Sequence, residues 1–450
     1  MNFKVHFKRN LALAYPVMLS QAGIVMVGIV DNLMVGQLGA TPLAAVSFAS
    51  AIFFNIMVFG MGFAVGITPM VSAAFAQNNP QKAGRYFKNG LFLNLLIGVV
   101  LTLVMYGSTF AMPYLGQEPE VLEQAIPYFN YINLSMLPLM LFFHFKQFNE
   151  GLESTKPAMV ISLSSNLLNI GLNWIFIYGH WGFEPMGLNG AGLATLISRI
   201  ITGVLLAYYT LKTPYFRPFL DEVKNTRIRL DKCLEIIKVA IPISSQMLME
   251  VMTFSIGAIM VGWIGSQAQA AHQIVIGMAS LTYMVATGLS AAATIRVSNE
   301  LGKNNLLEMH QSARTTMLMA TGFMAITAVF FVLLKDWLPT LFVKPEETEV
   351  LLISSGLMII AGIFQLFDGM QVVALGALRG IQDVKYPTLI TMIAYWGLGL
   401  PSAYYFAFHT DAKTAGIWYG FLIGLGSASI LLTLRFEWVV KYKLMKKVII

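Results

Sequence analysis

The apolar positions of this chain gather into long blocks separated by short polar stretches. A helix rising ~1.5 Å per residue needs roughly 20 apolar residues to cross a hydrocarbon layer of about 30 Å. Twelve blocks meet that length, near residues 11–36, 43–75, 90–112, 125–146, 158–179, 188–211, 236–264, 269–295, 315–334, 350–376, 387–408 and 414–434. The period-2 alternation of an outer-membrane barrel is absent, so the blocks predict helices. The second block exceeds one straight crossing and is expected to include a turn outside the membrane.

The polar stretches between blocks carry their charge on one side. Of 29 basic residues, 25 fall there, among them Lys4, Lys8 and Arg9, Lys82, Arg85 and Lys88, Lys146, the run from Lys212 to Lys238, Arg296, and Lys441 to Lys447. The other side holds Lys335, Lys344 and Lys413, and Arg199 lies inside a block. A miscounted block would scramble this split, which places both termini in the cytoplasm. The basic start followed by an apolar run resembles a secretory signal but lacks a persuasive A-x-A cleavage site, so it reads as a retained first helix.

Composition narrows the class further. The chain is 57% hydrophobic and 11% charged, against about 25% charged in an ordinary soluble domain. That excludes a soluble enzyme and a nucleic-acid binder. The net charge of +7 suits a cytoplasmic membrane surface. A single cysteine, Cys233, leaves no intramolecular disulfide and no two-cysteine metal site. The expectation is an all-α integral protein of the inner (plasma) membrane, its partner the lipid bilayer, working as a monomer.

Slid against itself, the chain aligns Pro16–Asn79 with Pro242–Asn305 without a gap, and fifteen of the 64 positions are identical. They include Pro16/Pro242, Met34-Val35-Gly36/Met260-Val261-Gly262, Gly39/Gly265, Thr68/Thr294 and Asn78-Asn79/Asn304-Asn305. Later, Gly151 and Lys156 match Gly380 and Lys385 at a nearby offset. Each copy has six blocks, an even number, so the copies share orientation and predict two six-helix lobes related by a pseudo-twofold along the membrane normal. The expected division is 1–211, a polar linker over 212–238, and 239–450.

Of the 22 acids, three fall deep in blocks: Asp31, Glu250 and Asp368. A carboxylate at bilayer depth costs about 2.5–3.5 kcal/mol on insertion scales. Each must be protonated, paired or bound to a cation, and Arg199, the only deep basic residue, cannot neutralise three. Gln246 precedes Glu250 by one turn, and Gln365 and Gln371 flank Asp368 at three residues on either side, placed to complete a cation's shell or hold a rotamer. Hard oxygen donors without a histidine or thiol cluster suit Na⁺ or H⁺ rather than a transition metal. Asn166, Asn169 and Asn173 form one helical stripe, equally readable as interhelical glue or as a site. His144 and His272 read as polar anchors rather than proton relays, and Gln273 beside His272 is a candidate cavity residue. The 27 methionines and abundant aromatics suit adaptable recognition of lipophilic cations, although most are expected to fill the core or face lipid. No Walker A, H-E-x-x-H or G-x-G-x-x-G unit marks an enzyme or an ATP-driven pump, and no cofactor is expected.

Taken together, Ala14-Tyr15-Pro16, Val30-Asp31-Asn32-Leu33-Met34-Val35-Gly36, Gln246 to Glu250, Ala270-Ala271-His272-Gln273-Ile274, Asp368-Gly369 and Gly376-Ala377-Leu378-Arg379-Gly380 resemble the multidrug and toxic compound extrusion family, in its NorM-like bacterial branch. The resemblance covers about residues 10–440. It implies export of cationic, amphipathic drugs driven by Na⁺ or H⁺ entry. Asp31 matches the first-lobe acid of the family, and Pro16 the proline about which the first helix bends. Asn169 and Asn173 match the polar pair of the fifth helix, where some relatives carry aspartate at the second position, and Thr195 matches a nearby hydroxyl. Glu250 and Asp368 match the second-lobe cation site. The alternatives weighed are a lipid-linked oligosaccharide flippase, which calls for several deep basic residues, and a receptor or scaffold, which calls for no deep carboxylates. Neither the coupling ion nor the natural substrate follows from the sequence.

Overall fold

The computed structural model describes residues 3–225 and 227–445, and every regular element among them is helical. Lys446 and Lys447, and the side chains of Lys224 and Lys443, lie outside the described residues. Eleven of the expected crossings are helices or broken helices long and apolar enough to span a membrane. The twelfth is helical but interrupted.

By packing, the chain divides into two units, Leu19–Leu248 and Met1–Met18 with Met249–Ile450. Both divisions fall inside continuous helices, α1 (Phe3–Gly36) and α10 (Leu230–Ile264). The expected linker, 212–238, folds as a turn at Pro214–Phe216, the helix α9 (Arg217–Asn225) and the first turns of α10, all within the first unit.

The N-terminal unit contains the second part of α1, α2 (Ala40–Val65), α3 (Thr68–Ala76), α4 (Pro80–Thr109), α5 (Pro119–Leu134), α6 (Met136–Gly151), α7 (Lys156–Tyr178), α8 (Gly187–Lys212), α9 and the start of α10. The expected turn in the second block is the break between α2 and α3. Pro69 cannot donate to the carbonyl of Val65, so the helix restarts. Gly66 and Ile67 at this break are buried, and α10 lies against Gly66 at Ala240. The fourth block breaks at Ser135, three residues before Pro138, for the same reason.

The C-terminal unit contains the first part of α1, the end of α10, α11 (Ser266–Gly302), α12 (Leu306–Leu333), α13 (Thr348–Gly380), α14 (Lys385–Met392), α15 (Leu400–Phe408) and α16 (Lys413–Trp438). Between α14 and α15 the chain winds as a π-helix over Ile393–Gly399, just before Pro401, and this is the interrupted crossing. Asn10 ties α1 into this unit, donating to the Ser312 carbonyl at 3.2 Å and to Thr316 Oγ1 at 2.7 Å.

The duplicated positions have matching local structure. Gly39 and Gly265 precede α2 and α11 with φ of 127° and 149°, a region that a Cβ atom disfavours. Asn78 and Asn304 are both left-handed, with φ of 49° and 58°. Asn79 and Asn305 cap the following helices, accepting from the backbone N–H of Lys82 and of Glu308. Gly151 faces Val71 and the Thr68 carbonyl, and Gly380 faces Val297 and the Thr294 carbonyl, so both copies bring two helices together at the same small residue.

Candidate functional site

Within the N-terminal unit, α1, α2, α5, α6, α7 and α8 enclose a cavity of about 370 Å³. Its walls are largely apolar and aromatic, including Phe53, Phe142, Phe143 and Tyr128. Asp31 lines it from α1, Asn166 and Asn169 from α7, and Thr195 and Arg199 from α8. The helical stripe on α7 faces α1: Asn173 Nδ2 donates to Asp31 Oδ1 at 2.6 Å and lies 3.2 Å from Asn169 Oδ1. One turn further, the Tyr178 hydroxyl donates to the Met34 carbonyl at 2.8 Å, holding the end of α1 to the end of α7. The stripe is therefore both interhelical glue and part of a cavity wall. Arg199 donates from Nη1 to Ser135 Oγ at 2.6 Å, and its guanidinium lies over the Phe53 ring, 4.5 Å from the centroid. Ser165 and Thr202 form a short hydroxyl–hydroxyl contact in the same wall.

The C-terminal unit holds the other two acids. Glu250 on α10 and Asp368 on α13 are both buried. The Tyr283 hydroxyl of α11 donates to Glu250 Oε1 at 3.3 Å. The charges of Glu250 and Asp368 act on each other, and both act on the hydroxyls of Tyr283 and Tyr395. Asp368 Oδ1 is buried and, among the described residues, accepts no hydrogen bond. Burying such an oxygen without a partner is costly, so its environment fits a cation or a proton. Gln365 Oε1 accepts from Thr282 at 3.0 Å, which leaves its buried Nε2 without a partner among the described residues. Gln371 is fully buried beside Asp368 on the same helix. Among the described residues no group of three or more His, Cys, Asp and Glu gathers as a transition-metal site would require.

Other expected residues stand apart from these groups. Pro16 is buried inside α1, two residues before that helix passes from one unit to the other. Gln246 is buried one turn before Glu250, on the N-terminal side of the division in α10. Gln273 is exposed on α11 and is not among the buried polar residues. His272 is buried against the rings of Trp418 and Phe421. His144 is buried among Phe87 and Phe145, 3.3 Å from Asn94.

Glu150 and Glu300 are buried too, but at the ends of α6 and α11, where the sequence reading placed acids outside the deep set. One expectation needs correction: Arg199 is not the only buried cation, because Lys146 and Arg296 are buried beside those two acids, at 3.8 Å and 3.1 Å. Each pair is spaced four residues apart on one helix, so it neutralises itself without needing a loop. That spacing within an apolar run was the available signal. Tyr283, Tyr395 and the cavity position of Arg199 carried none in the sequence.

The MatE family matches residues 16–175 and again 242–405, two stretches whose starts, Pro16 and Pro242, are the first matched pair of the internal repeat. The chain is 34% identical over 438 residues to a probable multidrug resistance protein NorM of Rhizobium meliloti, covering 97% of this chain and 94% of that one. It is 33% identical over 443 residues to the multidrug resistance protein MdtK of Yersinia pseudotuberculosis, covering 97% and 96%. Its fold is similar to the crystal structure of the eukaryotic MATE transporter AtDTX14, with TM-score 0.87, 19% identity, and 99% and 100% of the two chains covered. It is similar also to a MATE structure in the bent conformation, with TM-score 0.89, 20% identity, and 98% and 97% covered. With both halves of the duplication matched and such relatives aligned along nearly the whole length, the chain belongs to the MatE family, the multidrug and toxic compound extrusion transporters, on its NorM-like side.

Proposed function

We propose that this protein is a multidrug exporter of the inner membrane, with both termini in the cytoplasm, that moves cationic amphipathic compounds outward while Na⁺ or H⁺ moves inward. The observation that carries the reading is the cavity in the N-terminal unit. Its 370 Å³ lies in the range of about 300–1,000 Å³ typical of small-molecule sites. Its aromatic walls attract organic cations, each face contributing roughly 0.5–2 kcal/mol, and Asp31 supplies the opposite charge. The multidrug resistance names of the relatives support the same reading.

In this mechanism the Asn173 amide holds the Asp31 carboxylate as an acceptor for the cationic group of the substrate. Protonation of Asp31, or a monovalent cation between Glu250 and Asp368, removes negative charge and favours release. Such an ion shifts the transporter only by its differential affinity for the two states. Purified protein in liposomes loaded with ethidium tests this, under an imposed Na⁺ gradient and an imposed pH gradient, each alone. Efflux under one of them is expected. Dye retention under both, in protein that still binds the dye, overturns the reading.

A further inference from the structure

Resting on the cavity of the proposed exporter, we infer that Arg199 is a specificity-determining residue: it pairs with the anionic group of amphiphiles that carry a carboxylate as well as a cationic centre. Asp31 and Arg199 line the same cavity, and their charges influence one another. A partner for Asp31 alone would close on it as a salt bridge. Instead, among the described residues Arg199 forms no ion pair, and its guanidinium meets a neutral hydroxyl and an aromatic face.

Those contacts fix the guanidinium. Ser135 stands at the break between α5 and α6, and its hydroxyl donates to the Ile132 carbonyl at 2.5 Å, so the oxygen that Arg199 meets is itself held. Phe53 supports the flat face of the group from α2. A guanidinium has five N–H donors in a rigid fork, and the single bond to Ser135 leaves others for a ligand. A carboxylate meets such a fork through two parallel hydrogen bonds, which an ammonium cannot reproduce. A charge held at this depth costs free energy, and a substrate anion offsets that cost where the hydroxyl of Ser135 cannot. The cavity therefore has one acceptor of positive charge, one acceptor of negative charge, and aromatic walls.

The test compares two dyes that share a cationic ring system, rhodamine B with its free carboxylate at neutral pH and rhodamine B ethyl ester without it. Binding to the purified full-length protein in nanodiscs is read by fluorescence anisotropy, with no gradient applied. The unmodified protein is expected to bind the carboxylate form at least as tightly as the ester. Arg199→Gln should weaken the carboxylate form about tenfold or more, the scale of a lost charged hydrogen bond, while the ester binds unchanged or tighter. Arg199→Lys keeps the charge without the fork and should fall between. Equal weakening of both dyes in Arg199→Gln, or no change in either, overturns the inference. So does a preference of the unmodified protein for the ester, which is readable even if Arg199→Gln does not fold. Protein that binds both dyes as expected but moves neither in liposomes would refute the exporter reading and leave this one standing.

Discussion

Asp31 and Asn173 meet through one 2.6 Å hydrogen bond between helices that are far apart in the chain. A hydrogen bond to a charged group contributes about 1.5–3 kcal/mol, so the two side chains should fail differently when replaced. Asp31→Asn removes the charge and should reduce drug resistance of expressing cells to that of cells without the protein. Asn173→Ala leaves the charge unheld and should slow ethidium efflux roughly tenfold without abolishing it. Glu250→Gln and Asp368→Asn should each lose gradient-driven efflux while eluting as folded protein on gel filtration. Full resistance in any of the three acid variants would remove that acid from the proposed mechanism. These acids were legible because nothing apolar explains them. The burial of Glu150 and Glu300 was not, since each lies near a basic stretch at a helix end, although the cation four residues before it, Lys146 or Arg296, marked the pair. Tyr283 was hidden for another reason: a tyrosine among 17 is noticed only when its hydroxyl is seen donating to Glu250.

Among the elements, the duplication proved more informative than the length of the apolar blocks. Blocks locate helices but do not show where they break, and the prolines that decide the breaks, Pro69 and Pro138, lie within runs that look continuous. The repeat instead pointed to positions with a shared job. Gly380 is such a position: a Cβ atom there would stand 2.7 Å from Val297. Overpacking of this kind costs about 1–3 kcal/mol for an added methylene group or two. Gly380→Leu should therefore lower the melting temperature of the detergent-solubilised protein by several degrees, and Gly151→Leu should do the same in the other copy, where Val71 stands 2.9 Å away. A variant melting with the parent would show that α11 and α13 are not held by this contact.

For the molecule as a whole, the helical fold was legible in the sequence because a membrane tolerates few alternatives to a helix, and the sorting of basic residues to one side predicts cytoplasmic termini. A fluorescent protein that matures only in the cytoplasm should be bright when joined after Asn225 and dark when joined after Gly116, a stretch on the side poor in lysine and arginine. Brightness at both positions, or the reverse order, would invert the topology. What the sequence concealed was the division by packing, since α1 and α10 cross it as unbroken apolar helices with no composition shift. Those crossings make the duplicated halves mutually dependent. A fragment ending at residue 225 lacks 230–248, which complete the N-terminal unit, and a fragment beginning at 227 lacks Met1–Met18, which belong to the other unit. Produced singly, each half should be degraded; co-expressed, the two should complement one another and restore resistance.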